Sequence, residues 1–365
     1  MLEHKLLDSV VDSGLKVSYE NLVQSDFLLP IKVTEFYMKK VKEEIDAIGK
    51  DGPLYKSVIP TDDRIYLKAN KESRDYVEEK KHMPIENCNY IIRKYNDRLV
   101  FLTTTSCVSH CQYCFRTYNL AEEVKNKYSS TIDEKLESLC KFLNLNEQIN
   151  EVILSGGDPL TIQASYLEKI FKKITQQNIK NIRLHSRAII YDPSILDDEM
   201  IYVLSKYNVR VVLHINHPYE ICDSVEEKIK LMCNNKIRLY SQFPLLRGIN
   251  DNYIVLKKLL TKMDELNIRP ISIFIPDPIV YGASFRINYK RILQIINQLN
   301  WNTPSWINST RFVMDTTIGK VRCENIVKWD KNCITFARDG KEIDYYDLDE
   351  QLDIQTDISK LLWKV

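Results

Sequence analysis

From residue 98 onward, short apolar runs of strand length alternate with longer segments of helical period. RLVFLTTT (98–105), EVILS (151–155), NIRLHSR (181–187), VRVVLHIN (209–216), IRLYSQF (237–243) and PISIFIP (270–276) are rich in β-branched and aromatic residues and predict six strands. Thr131 with Glu134, and Ser224 with Glu227, have the Ser/Thr-x-x-Glu spacing of a capping box and predict helix starts between strands. Such alternation predicts a parallel sheet with right-handed crossovers. Polar or special residues follow each run, as SCVSHC, GGDP, SR, NHP, Gln242 and DP. Parallel β/α barrels carry their reactive groups at that end of the strands. The pattern therefore predicts an α/β fold, a partial (β/α)6 barrel over residues 93–299. Residues 1–92, with VTEFYMKKVKEEIDAI followed by a charged, loop-like stretch, read as a helical appendage. Residues 300–365, with RFVMD, CITFARDG and KEIDYYD, read as a β-rich closing segment.

Composition narrows the function classes. Fifty-one basic against fifty acidic residues leave a formal charge of +1, which argues against a general nucleic-acid footprint. No apolar stretch of 18 residues exists to cross a bilayer. The opening MLEHKLLDSVVDSG has neither the character of a secretory signal nor that of a transit peptide, so a cytoplasmic protein is expected. In that reducing compartment nine cysteines do not suggest a disulfide framework, and their clustering matters more than their number. Only nine glycines occur in 365 residues, and Gly156 and Gly157 form their single adjacent pair.

Cys107, Cys111 and Cys114 form C-x3-C-x2-C directly after the first barrel strand. A structural zinc site needs four ligands, commonly from two knuckles, and no second C-x2-C exists. Three thiolates on an iron-sulfur cubane would leave one iron without a protein ligand, open to a chelating cofactor. This loop, with Tyr113 before its last cysteine, on the first strand of a six-fold β/α alternation, resembles the radical S-adenosylmethionine superfamily. The resemblance implies a [4Fe-4S] cluster whose open iron is chelated by S-adenosylmethionine. It also implies cofactor contacts from Tyr113, from the Gly-Gly-acid motif Ser155, Gly156, Gly157 and Asp158, and from the strand ends at Ser186, Arg187, His214, Asn216, His217 and Gln242.

Residues 85 to 350 are similar to the lysine 2,3-aminomutase family, through RKYNDRLVFL, CFR, LSGGDPL, LRGINDN, RPISIFIPDP with a following FR, and RFVMD leading to a Gly-Lys. That family also carries pyridoxal 5′-phosphate, and its Schiff-base lysine falls on Lys320. The glycine run preceding that lysine is replaced by Thr316, Thr317 and Ile318, and the loop is about two residues shorter. The resemblance places Arg116 on the substrate carboxylate, a task suited to a two-pronged guanidinium. It places Asp277 and Asp315 on the distal ammonium of a cationic substrate, and Tyr95 and Arg98 on the coenzyme ring and phosphate. Asn252 stands where the family draws a zinc-binding cysteine, and Cys323 and Cys333 do not reproduce the remaining spacing, so no zinc is expected.

The expected function is a 2,3-aminomutase acting on a cationic amino acid, with L-lysine first and arginine next. The reduced cluster would cleave S-adenosylmethionine, and the adenosyl radical would take hydrogen from the β-carbon before the α-amino group moves there. Two alternatives stand beside it. One is a desaturation, elimination or oxidation of a basic amino acid with the same cofactors; the other is a non-catalytic cluster-binding protein. A flavodoxin- or ferredoxin-type reductant is implied, and homo-oligomerisation is left open.

Overall fold

The computed structural model describes residues 10–26, 28–86, 88–125 and 130–364; residues 1–9, most of the segment read above for a leader, lie outside them. The barrel strands fall where the apolar runs predict. They are β2 (Arg98–Thr104), β3 (Glu151–Gly156), β4 (Asn181–Ser186), β5 (Arg210–Leu213), β6 (Arg238–Pro244) and β7 (Arg269–Phe274), after a short β1 (Ile91–Ile92). A seventh parallel strand, β8 (Arg311–Thr316), pairs with β7 from within the segment read as closing structure. The sheet order is β1 to β9 in sequence order, with β9 (Gly319–Val321) folded back antiparallel on β8. Every step from β2 to β8 is parallel, so all reactive strand ends face one side, as a partial barrel requires. Residue 300 lies inside the helix Tyr289–Asn302, and the sheet runs on past it.

The helices close the outside by amphipathic packing. In Ile132–Asn144 the buried Leu136, Leu139 and Leu143 recur at helical spacing, the stripe that faces a core. Its start is the capping box expected: Thr131 Oγ1 accepts from Glu134 N at 3.3 Å and Glu134 Oε2 from Thr131 N at 2.7 Å. Ser224 and Glu227 do not repeat this. Asp223–Asn234 begins two residues earlier than that cap would place it, with Cys222 at the N-cap and no side-chain cap bond. Asn252 caps Tyr253–Glu265 by accepting from Ile254 N at 2.9 Å, so the residue that replaces the family cysteine starts a helix.

The leading residues form the helices Ser13–Ser25, Glu35–Ile48, Pro53–Val58 and Asp62–Tyr66. Tyr37, Val41, Val58 and Ile59 are fully buried and join the barrel's own core. After β9, an antiparallel sheet of β10 (Ile326–Asp330), β11 (Cys333–Arg338) and β12 (Lys341–Tyr346) completes the chain's β-structure. The first of these strands has no counterpart in the apolar pattern, because its burial is irregular and mostly exposed. No helix of the described residues is long and apolar enough to cross a membrane.

Candidate active site

The strand ends surround a cavity of about 640 Å³, within the size range of small-molecule sites. Cys107, Cys111 and Cys114 line it, as do Tyr113, Ser155, Gly156, Gly157, Asp158, Ser186, Arg187, His214, Asn216 and Gln242. So do Tyr95, Arg98, Arg116, Asp277, Asp315 and Lys320. His217 does not. Its ring caps the short turn at Pro218–Glu220 and stacks 6.2 Å from Trp363, which places it between that turn and the C-terminal tail.

The cysteine loop is clamped from two sides. Against β3, Gly157 N donates to Thr104 O at 2.6 Å and Asp158 N to Ser106 O at 2.7 Å. A Cβ on Gly156 would stand 2.4 Å from Thr104 O, and one on Gly157 2.3 Å from Ser106 O. Gly156 also has φ +117°, so both positions require glycine for a physical reason. From the leading segment, Lys32 Nζ donates to Cys107 O at 2.6 Å, and His110 N to Lys32 O at 2.9 Å.

Asp158 turns inward. Its carboxylate accepts from Ser186 Oγ at 2.7 Å, Arg187 N at 2.8 Å and Leu160 N at 3.1 Å, tying β3 to β4. Burial raises its pKa against those three donors. Arg187 is equally committed, through Glu220, the His214 carbonyl and the Tyr191 hydroxyl. These two residues therefore shape the wall through their partners, and the glycine backbone is what the motif offers to the cavity.

The donor set fits the implied cofactors. Burial and the neighbouring thiols push Cys114 up to about 12 and Cys107 higher still, so these two thiols keep their protons unless a cation shares their space. The iron of a bound cluster would supply that cation. Beside them, Tyr113 Oη, His185 Nε2 and both side-chain polar atoms of Asn216 are buried without a partner among the described residues. Such atoms call for a polar ligand. His185, together with His214 and Gln242, forms a cluster at 3.0 to 3.5 Å. Burial pushes His214 down to about 3 and His185 well below its ordinary value, so both rings are neutral hydrogen-bonding groups.

Lys320 occupies the other end. The replaced glycine run becomes a tight β8–β9 hairpin, in which Thr316 Oγ1 donates to Gly319 O at 2.6 Å and Gly319 takes φ +106°. Asp315 and Lys320 are direct cross-strand partners, which puts both side chains on one face of the ribbon. Burial lowers the Lys320 pKa; Asp315 opposes this, while Arg183, Arg98 and Lys94 reinforce it. Arg98 and Arg183 thus bring two guanidinium groups near an amine, an arrangement that fits the phosphate of the coenzyme. Arg183 donates from Nη2 to Glu151 at 3.0 Å while its Nε has no partner among the described residues, and Arg98 is stacked 4.1 Å over Tyr95.

Arg116 reaches the cavity already paired. Glu79 accepts from its Nε at 3.1 and 3.0 Å and from Nη2 at 2.6 Å, and Ser155 Oγ from Nη1 at 2.7 Å. Asp315 is likewise paired, with Lys94 Nζ at 2.7 Å. Glu79, Lys94 and Arg183 escape a reading of the sequence, because nothing in their neighbours separates them from ordinary surface charges. His185 alone has a signal, its place beside Ser186 at a strand end.

Comparison with known proteins agrees with this geometry. Residues 101–260 match the model of the radical SAM superfamily. The L-lysine 2,3-aminomutase of Methanococcus maripaludis is 29% identical over 294 residues, which cover 80% of this chain and 65% of that protein. The protein of the same name from Buchnera aphidicola is 31% identical over 290 residues, covering 77% of this chain and 80% of its own length. The glutamate 2,3-aminomutase of Clostridioides difficile is 30% identical over 291 residues, covering 75% and 68%. With its cysteine loop, its clamped Gly-Gly turn and its Gly-Lys hairpin around one cavity, the chain belongs to the lysine 2,3-aminomutase family of radical S-adenosylmethionine enzymes.

Proposed function

We propose that the protein moves the α-amino group of a cationic amino acid to the β-carbon, with L-lysine as first substrate and arginine as second. The observation that carries this reading is the meeting of the cysteine loop and Lys320, with Asp315 opposite it, on the walls of one cavity. When bound, the cluster with S-adenosylmethionine supplies an adenosyl radical, and pyridoxal 5′-phosphate supplies an electron sink for the migrating nitrogen. The chain's own residues hold and orient. Lys320 presents an amine whose burial favours its neutral, nucleophilic form. Arg116, fixed along one edge by Glu79 and by Ser155, offers its remaining guanidinium protons to the substrate carboxylate. Asp277 and Asp315 supply the carboxylates where the distal cation is to lie; burial and Asp315 push Asp277 well above the ordinary carboxylate range, so a bound cation is what would restore its charge. Phe243, Phe274 and Ile275 line the cavity between polar ends, excluding water from a reactive radical. A flavodoxin- or ferredoxin-type protein is the reductant this chemistry needs.

The test is an anaerobic incubation of reconstituted enzyme with lysine, arginine, norleucine and glutamate, with products separated by mass and by α against β isomer. A β-amino acid from lysine or arginine, formed without stoichiometric loss of S-adenosylmethionine, is expected. Preference for glutamate, or an oxidised or unsaturated product, would overturn the reading.

A further inference from the structure

The acid pair that would receive the substrate's distal charge already holds a cation of the chain itself. Lys94, two residues beyond β1, reaches Asp315 on β8 at 2.7 Å and also donates to the Thr316 carbonyl. Its side chain is 14% exposed, and Lys94, Asp277 and Asp315 all line the cavity. Other charged groups surround the pair. Glu79 is bound to Arg116, Arg286 donates to the Tyr346 carbonyl, and the His82 ring is kept neutral by burial and by Lys94. Lys320 also stands opposite Asp315 on the ribbon, and burial and the neighbouring Asp315 push Asp277 well above the ordinary carboxylate range, with Lys94 opposing. Lys94 therefore competes with the substrate for Asp315 and leaves Asp277 as the freer acceptor.

We infer that Lys94 is a specificity-determining residue, a resident counter-ion of Asp315 that a substrate's distal ammonium must share or displace. This rests on the reading of the cavity as an amino acid site. Like charges held close in a desolvated site repel strongly, so the charge of Lys94 moderates affinity for the very substrates the acids attract.

Binding of L-lysine and of L-norleucine, which lacks the distal ammonium, should be measured by calorimetry on holoenzyme with its cluster left oxidised, so that no turnover occurs. Lys94→Gln should raise the lysine-over-norleucine affinity ratio by about tenfold or more, the scale of a charge interaction in such a site. Asp315→Asn should lower the ratio. Lys94→Gln combined with Asp315→Asn removes one charge of each sign, keeps the net charge of wild type and should return the ratio to within a few-fold of it. Lys94→Arg, which keeps the charge, should leave it near wild type and guards against a defect of folding. A ratio that Lys94→Gln leaves unchanged or lowers, a double variant that behaves as Asp315→Asn alone, or a changed ratio in Lys94→Arg would overturn the inference. Its failure differs from that of the cationic-substrate reading. If wild type shows no preference for lysine while Lys94→Gln still raises the ratio, the substrate reading falls and the role of Lys94 stands.

Discussion

Lys320 shows what one residue owes to its register. Opposite Asp315 on a two-stranded ribbon, its amine faces the cavity because cross-strand partners share a face. Burial lowers its pKa from the ordinary 10.5 while Asp315 resists. Uptake of pyridoxal 5′-phosphate should therefore rise with pH through a midpoint below that value. Asp315→Asn, which removes the opposing negative charge, should move the midpoint lower still, as read by visible absorbance. Borohydride trapping and peptide mapping should place the label on Lys320, and a label on another lysine would show the Gly-Lys assignment to be wrong. The cysteines, the Gly-Gly turn and this lysine are legible in sequence because their chemistry is carried by local spacing. Glu79 and Lys94 are not, since each acquires its role from a partner 37 or 221 positions away.

At the scale of elements, the ends of β2 and β3 form one unit. The cysteine loop is held through backbone hydrogen bonds at Gly157 and Asp158, and those bonds exist only because no Cβ intrudes at Gly156 or Gly157. Gly157→Ala sets a methyl group 2.3 Å from Ser106 O, a clash with backbone that cannot be relieved by a side-chain rotation. It should lower thermal stability and iron content together, the latter by more than half. Cys140→Ala, remote from the cavity, is the control and should leave iron unchanged. Cys111→Ala should abolish cleavage of S-adenosylmethionine, and full cleavage by that variant would remove the loop from the cluster. The strands of this region were predictable because a parallel sheet buried on both faces reads as a continuous apolar run. β10 was not, because strands with an exposed face carry only a weak alternation.

The whole molecule is closed by its C-terminal segment. Arg291, on the helix before β8, binds Asp353 at 2.7 and 2.5 Å and Asp251 at 2.8 Å, with the Asp251 side chain fully buried. Arg291→Ala strands two buried carboxylates and should cost about 3–5 kcal/mol, the usual penalty for leaving a buried charge unpaired, measurable by urea unfolding. A loss within experimental error would make the network dispensable. The seventh parallel strand belongs to this same closing region, and sequence assigned RFVMD to an extension because only tertiary pairing with β7 distinguishes a last barrel strand from an appended one. That strand matters for function, since it carries Asp315 and leads into Lys320. The central claim is that the cluster and the lysine serve one migration of nitrogen within one substrate. L-Lysine labelled with 15N at the α-position, incubated anaerobically with reconstituted enzyme and analysed by NMR, tests it most directly. The account predicts product with 15N on the β-carbon and S-adenosylmethionine regenerated. Label remaining on the α-carbon, with S-adenosylmethionine consumed in step with lysine, would contradict it.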